Sequence, residues 1–173
     1  MNPEPCAVKA GAHVLVDTNV IIEAHRTECW NALVGHYELD TVRRCVEECA
    51  TGNQRLRNPV PIDIDRLEKA VNPKSVEQKA IVSLLVECPE SADLDPGEKE
   101  LLAYAFSIRE QIFLLCSPDR ACMAAIYELG WIERYVSLEE LAQYAGVRPN
   151  LAFHFTKKWI EGIRTHLAFG ELD

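Results

Sequence analysis

At 173 residues the chain is long enough for one domain with its own hydrophobic core and short for two. It is 48% hydrophobic and 26% charged, an ordinary balance for a globular chain, and no apolar run approaches the roughly 20 residues that a membrane-spanning helix needs. The formal charge of −9 argues against binding nucleic acid through overall charge, although a local basic patch remains compatible with it.

Met1–Gly11 carries no apolar stretch of signal-peptide type, so a cytoplasmic setting is expected. His13-Val14-Leu15-Val16 reads as a buried strand that runs into the polar turn Asp17-Thr18-Asn19, and a helix begins near Val20. His36–Thr41 is a second strand. Val42, Cys45, Val46 and Cys49 then recur at three- and four-residue spacing, the mark of a helix face, up to a stop near Gly52. Asn53–Asp63, with Pro59 and Pro61, is a loop.

Ile64–Val71 and Ser75–Cys88 are helical, Pro89–Pro96 is a loop, and Glu98–Ile108 is a helix facing inward through Leu101, Leu102, Ala105 and Ile108. Gln111–Cys116 is the strongest strand signal, followed by a helix over Arg120–Leu129 that Gly130 ends. Arg134-Tyr135-Val136 is a brief strand, and Ser137-Leu138-Glu139-Glu140 has the form of a capping box opening another helix. A final helix over about 150–168 carries the apolar stripe Phe155, Trp159 and Ile163, expected to dock on its own domain.

This order of elements predicts an α/β fold with a mainly parallel sheet flanked by helices, a single domain over 1–173 with its core at about 13–145. The seven cysteines include no Cys-x-x-Cys pair and sit mostly in apolar stretches, so they read as buried free thiols rather than zinc ligands.

Four acids stand near the carboxyl ends of strands and the starts of helices, where α/β folds place their ligands: Asp17, Glu48, Glu98 and Asp119. Each has an ordinary structural role taken alone. Asp17 and Asp119 suit helix N-termini, Asp95-Pro96-Gly97-Glu98 is a capping pattern, and Glu48 suits a solvated helix face. Together they arrive from four different elements, and carboxylates gathered without a counterion repel one another. A divalent cation relieves that conflict. Oxygen ligands without His or Cys point to Mg2+ or Mn2+ rather than zinc.

Val14-Leu15-Val16-Asp17-Thr18-Asn19 resembles the first-strand motif of PIN domains. Val46-Glu47-Glu48-Cys49-Ala50-Thr51-Gly52 resembles their second motif, in a register that selects Glu48 over Glu47. Leu94-Asp95-Pro96-Gly97-Glu98 and Leu114-Leu115-Cys116-Ser117-Pro118-Asp119-Arg120 are similar to the third and fourth, with Ser117 in place of the more usual Thr. The further acid that some members carry just past the fourth motif is missing, since Cys122 and Met123 stand there.

The resemblance covers about 13–145. It implies a three-layer α/β/α PIN-like fold with a sheet of four or five strands, and a metal-dependent endoribonuclease of the kind that includes the toxins of toxin–antitoxin pairs. Asp17, Glu98 and Asp119 would hold Mg2+ or Mn2+, with Glu48 completing the catalytic set and Thr18, Asn19 and Ser117 fixing the carboxylates. RNA is the implied substrate, and an antitoxin protein and a second copy of the chain are the implied partners. A free-standing RNA-processing nuclease and a catalytically silent partner-binding scaffold are the alternatives. Arg43, Arg44 and Arg120, with Arg55, Arg57 and Lys157-Lys158 behind them, are candidates for phosphate contacts.

Overall fold

A computed structural model describes residues 7–51 and 59–170. They form a mixed α/β structure around a parallel sheet of three strands, β1 (His13–Val16), β2 (Glu38–Asp40) and β3 (Leu114–Cys116), in the order β2-β1-β3. The helices are α1 (Thr18–Arg26), α2 (Trp30–His36), α3 (Arg43–Ala50), α4 (Ile64–Val71), α5 (Gln78–Glu87), α6 (Pro96–Ser107), α7 (Arg120–Glu128), α8 (Leu138–Tyr144) and α9 (Lys157–Phe169).

The central strand explains the layout. Val14, Leu15 and Val16 are all fully buried, which requires cover on both faces of the sheet. Alternation along the strand sends Val14 and Val16 to one side, into a cluster with Val20 and Ile21 of α1 and Trp30 and Leu33 of α2. Leu15 goes to the other, into a cluster with Leu101 and Leu102 of α6, Met123 and Ile126 of α7 and Ile160 and Ile163 of α9. β3 divides in the same way, Leu114 and Cys116 to the first cluster and Leu115 to the second. The C-terminal helix therefore docks on its own domain, through Ile160, Ile163 and Leu167. Trp159 is half-buried, and Phe155 precedes the helix.

Several expectations are corrected. The described residues give three strands, not four or five. The expected strand at 134–136 reduces to one parallel bridge, Leu115 to Tyr135. Its chain is consumed on both sides, by a 3-10 turn over Ile132–Arg134 and by Ser137, the N-cap of α8, which leaves no length for a ladder. Likewise the second strand begins at Glu38 rather than His36, because α2, which carries no capping signal at its start, takes the chain through His36. The helix expected from Ser75 starts at Gln78, after an extended Glu77. The expected stop at Gly52 and most of the loop after it lie outside the described residues.

The thiols of Cys29, Cys45, Cys49, Cys88, Cys116 and Cys122 are free and buried. Among the described residues no helix is long and apolar enough to cross a membrane.

The capping box is present. The Ser137 hydroxyl accepts from the Glu140 N–H at 3.0 Å, and the Glu140 carboxylate accepts from the Ser137 N–H at 3.2 Å. Ser137 is buried, so its loss leaves these groups without a ready replacement in water. Ser137→Ala is expected to lower unfolding stability by about 1 kcal/mol, read as a lower urea midpoint at unchanged slope.

Candidate metal centre

Asp17 follows the last residue of β1 and is the N-cap of α1. Its Oδ1 accepts from the Val20 N–H at 2.8 Å and its Oδ2 from the Ser117 hydroxyl at 2.7 Å. The side chain is thus pinned from its own helix and from the end of β3. It is 1% exposed.

Asp119 plays the same part for α7. Its Oδ1 accepts from the Cys122 N–H at 2.7 Å, and its own N–H donates to the Ser117 hydroxyl at 3.3 Å. Ser117 therefore joins the two acids through one oxygen, and the Tyr135 hydroxyl donates to the Ser117 carbonyl from below. Ser117 thus touches both acids.

The Thr18 hydroxyl donates to Glu48 Oε2 at 2.6 Å. Asn19 lines the same cleft but makes no side-chain hydrogen bond to the four acids among the described residues. Of the two adjacent glutamates on α3, Glu48 is half-buried and turned to the cleft while Glu47 is exposed, which separates them as the sequence register did. Glu48 Oε1 also lies 3.7 Å from Arg44 Nε. Its carboxylate rests against Gly97, where a Cβ would stand 2.5 Å from Oε2 and 2.9 Å from Oε1. Gly97 leaves the room that this carboxylate occupies at the start of α6.

Glu98, one residue on, is 8% exposed. Asp95 occupies the N-cap position of α6, yet its side chain makes no capping hydrogen bond and instead lines the cleft. The capping role read from the sequence is therefore corrected, and a fifth acid joins the group.

All five acids line one cleft of about 430 Å3. Burial, then the charges of Asp119 and Glu48, push the Asp17 carboxyl from 3.8 up to about 7, against the pull of its hydrogen bonds to Ser117 and Val20. Burial, then Asp119, Asp17 and Asp95, push Glu98 from 4.5 up to about 8. Asp17 and Glu98 feel the charges of their acidic neighbours.

Among the described residues the one arginine lining the cleft is Arg26, and it is bound to Glu23 through Nε at 2.7 Å and Nη2 at 2.6 Å. The donor set suits a hard divalent ion. Among the described residues, however, no three acids or other ligand types stand close enough to ligate one ion directly.

Of the expected phosphate contacts, Arg43 is paired with Glu68 at 3.2 Å and Arg44 leans on Glu48. Arg120 is exposed at the start of α7. Arg55 and Arg57 lie outside the described residues. Four residues that shape the site were not read from the sequence: Asp95 as a cleft acid, Tyr135, and the Glu23–Arg26 pair. Their partners are distant in the chain or masked by an ordinary helical spacing. The Pro-Gly-Glu start of α6 was the one local signal that could have singled out Gly97 as a contact point.

Three outcomes follow from this electrostatics. A carboxyl whose folded pKa is raised holds more protons folded than unfolded, so stability falls as pH climbs from the unfolded value through the folded one. The protein in EDTA should therefore lose stability between about pH 4 and about pH 8, the span set by Asp17 and Glu98. Mn2+ at pH 8 should restore it, and Asp17→Asn should melt above wild type in EDTA at that pH. Thermal melts at both pH values read all three, and a flat pH profile sinks the assignment.

For Gly97→Ala the contact is with the free end of a glutamate, so the carboxylate moves rather than the helices. Stability should change by less than about 1 kcal/mol because the better helix propensity of Ala offsets the crowding. Mn2+ affinity, measured by calorimetry, should fall.

Compared with models of known protein families the chain matches none, and no curated protein sequence matches it, so the chemistry of the cleft is argued from its own residues.

Proposed function

We propose that the protein is a metal-dependent endoribonuclease of the PIN type that hydrolyses RNA phosphodiester bonds. The observation that carries this reading is the convergence of Asp17, Glu48, Glu98 and Asp119, from four separate elements, on one cleft whose buried acids are pushed toward neutral pKa values. Asp17, Glu98 and Asp119 would hold Mg2+ or Mn2+, at least one of them through its waters. When bound, the ion lowers the pKa of water and offsets the charge that develops on the phosphate.

The chain's own contribution is positional. The Ser117 hydroxyl fixes Asp17, and through its bond from the Asp119 N–H it sets the spacing of the two acids. The Thr18 hydroxyl holds Glu48 Oε2, leaving Oε1 beside Arg44 and free to orient an attacking water. Arg44 and Arg120 are the phosphate contacts of this reading. The biological role proposed with it is the toxin of a toxin–antitoxin pair. Its inhibitor would need basic side chains to cover an acidic cleft at tolerable electrostatic cost.

The test is cleavage of a mixed pool of structured RNA with Mg2+ or Mn2+, beside EDTA and Asp17→Asn controls. Cleavage should require both the metal and Asp17. Thr18→Val should retain the fold and lose about 10- to 100-fold in activity, the usual cost of removing a group that orients a metal-site carboxylate. Absence of cleavage together with absence of any heat of Mn2+ binding would remove the proposal. Metal binding without cleavage would retain the site and send the search to the substrate.

A further inference from the structure

The cleft has a second wall that the acids do not use. α1 leads away from Asp17, and Asn19, Ile22, Glu23 and Arg26 all line the cleft at three- and four-residue spacing. At 1.5 Å of rise per residue this face carries the cleft about 13 Å from the acids.

At the far end the Glu23 carboxylate, 5% exposed, takes both hydrogen bonds of the Arg26 fork and a third from the Ala152 N–H at 2.8 Å. Arg26 Nη2 also donates to the Asn150 carbonyl at 3.1 Å. This clamp fixes the segment at 150–155 against α1. Arg26 Nη1 makes no hydrogen bond to any described residue, and the side chain is 41% exposed. The guanidinium is therefore held in place with one edge still able to donate.

Past the clamp the chain reads Phe153-His154-Phe155-Thr156-Lys157-Lys158, aromatic residues followed closely by basic ones. Phe155 is buried and anchors the turn. His154 lines the cleft, exposed, with its ring 4.3 Å from that of Phe155. Phe153 is 61% exposed. Lys157 is engaged by Glu140 and Glu161, whereas Lys158 is exposed and makes no ion pair among the described residues. Phe153, exposed and next in the chain to His154, adds a second aromatic ring beside this wall. Aromatic faces next to guanidinium and ammonium groups are what holds single-stranded nucleic acid.

We propose that this wall is a subsite for an unpaired nucleotide flanking the scissile phosphate, its base stacked on His154 and Phe153 and its phosphate facing Arg26 Nη1 and Lys158. The inference rests on the nuclease reading and adds which residues of the wall receive the neighbouring nucleotide. A base offers its face to a side chain only when it has left its own stack, so a continuous duplex does not satisfy these rings. The Glu23–Arg26 pair is neutral as a whole and contributes a directed donor more than net charge. The stacking rings are accordingly the better handle for a test.

The probe is a short fluorescein-labelled single-stranded RNA, titrated with the full chain in Ca2+ in place of Mg2+ and read by anisotropy. His154→Ala and Phe153→Ala should each weaken binding about tenfold, and His154→Trp should restore it. The same strand annealed to its complement should bind about tenfold more weakly than when free. In the cleavage assay His154→Ala should raise KM and leave kcat nearly unchanged, since stacking away from the reacting bond is felt equally in the ground and transition states. Wild type that cuts RNA while both alanine variants bind like it would overturn the subsite and leave the nuclease standing. Wild type that neither binds nor cuts would overturn both.

Discussion

A carboxylate at the end of a fully buried strand sets most of the other features of this protein. β1 is apolar on both faces, so helices must cover both, and the same helices keep water from the residue that follows it. Because the sheet is parallel, β1 and β3 end at the same edge and deliver Asp17, Ser117 and Asp119 together. The N-terminus of α1 and the Ser117 hydroxyl offer Asp17 as much stabilisation as local structure can. It is not enough, and the carboxyl stays near 7 because burial and its acidic neighbours outweigh those bonds. The fold thus carries an electrostatic conflict at one point, relieved by a proton or by a cation, and its two apolar clusters sustain it. Departures from good folding practice concentrate at functional sites in this way.

The parts of this arrangement that were legible in the sequence are those with local signals. β1 and β3 are short apolar runs ending in Asp17 and in Ser117-Pro118-Asp119. α8 opens with a capping box, and α6 with Pro then Gly then Glu. Strand ends and helix starts locate Asp17, Glu98 and Asp119, because those are the places where a parallel α/β chain turns its polar residues inward, whereas Glu48 comes from the last turn of α3. The coarse class followed from the same alternation. The number of strands did not, since Tyr135 forms a bridge or a ladder according to how much chain the flanking turn and cap leave free. α2 was missed because Cys29 before it makes no side-chain cap. Asp95 was read as a cap because the sequence shows the position and not whether the side chain turns to the helix or to the cleft. The Glu23–Arg26 pair looked like any helical i,i+3 pair, and only the approach of Asn150 and Ala152 makes it a clamp.

That clamp also changes how the C-terminal segment is understood. α9 could dock by its apolar stripe alone, through Ile160, Ile163 and Leu167. The additional buried carboxylate, held by Arg26 and the Ala152 N–H, fixes the turn before it at one place along α1. Burial works to raise the Glu23 carboxyl, but the Arg26 and Ala152 hydrogen bonds outweigh it and hold the group below its ordinary value. An ion pair of this kind contributes little net stability compared with an apolar contact and much definition of geometry. Definition is what a cleft wall needs, because the wall must lie at a fixed distance from the acids.

The overall charge of −9 looks hostile to a polyanionic substrate, yet the dimensions of the cleft reduce the conflict. At physiological ionic strength the screening length is about 8 Å, shorter than the roughly 13 Å that α1 puts between the acids and Arg26. A strand seated on the Arg26–His154 wall is therefore largely shielded from the carboxylates through solvent. The phosphate that enters the acidic end is not shielded, and it is opposed by five carboxylates until a cation joins them. On the nuclease reading, cation and strand must then bind with positive coupling. Each lowers the electrostatic cost of the other, and the effect is reciprocal by thermodynamic necessity. The acids that make the cleft costly to fold are in this sense the source of its selectivity. On the same reading they would admit a phosphate to the reacting position only in company with the ion.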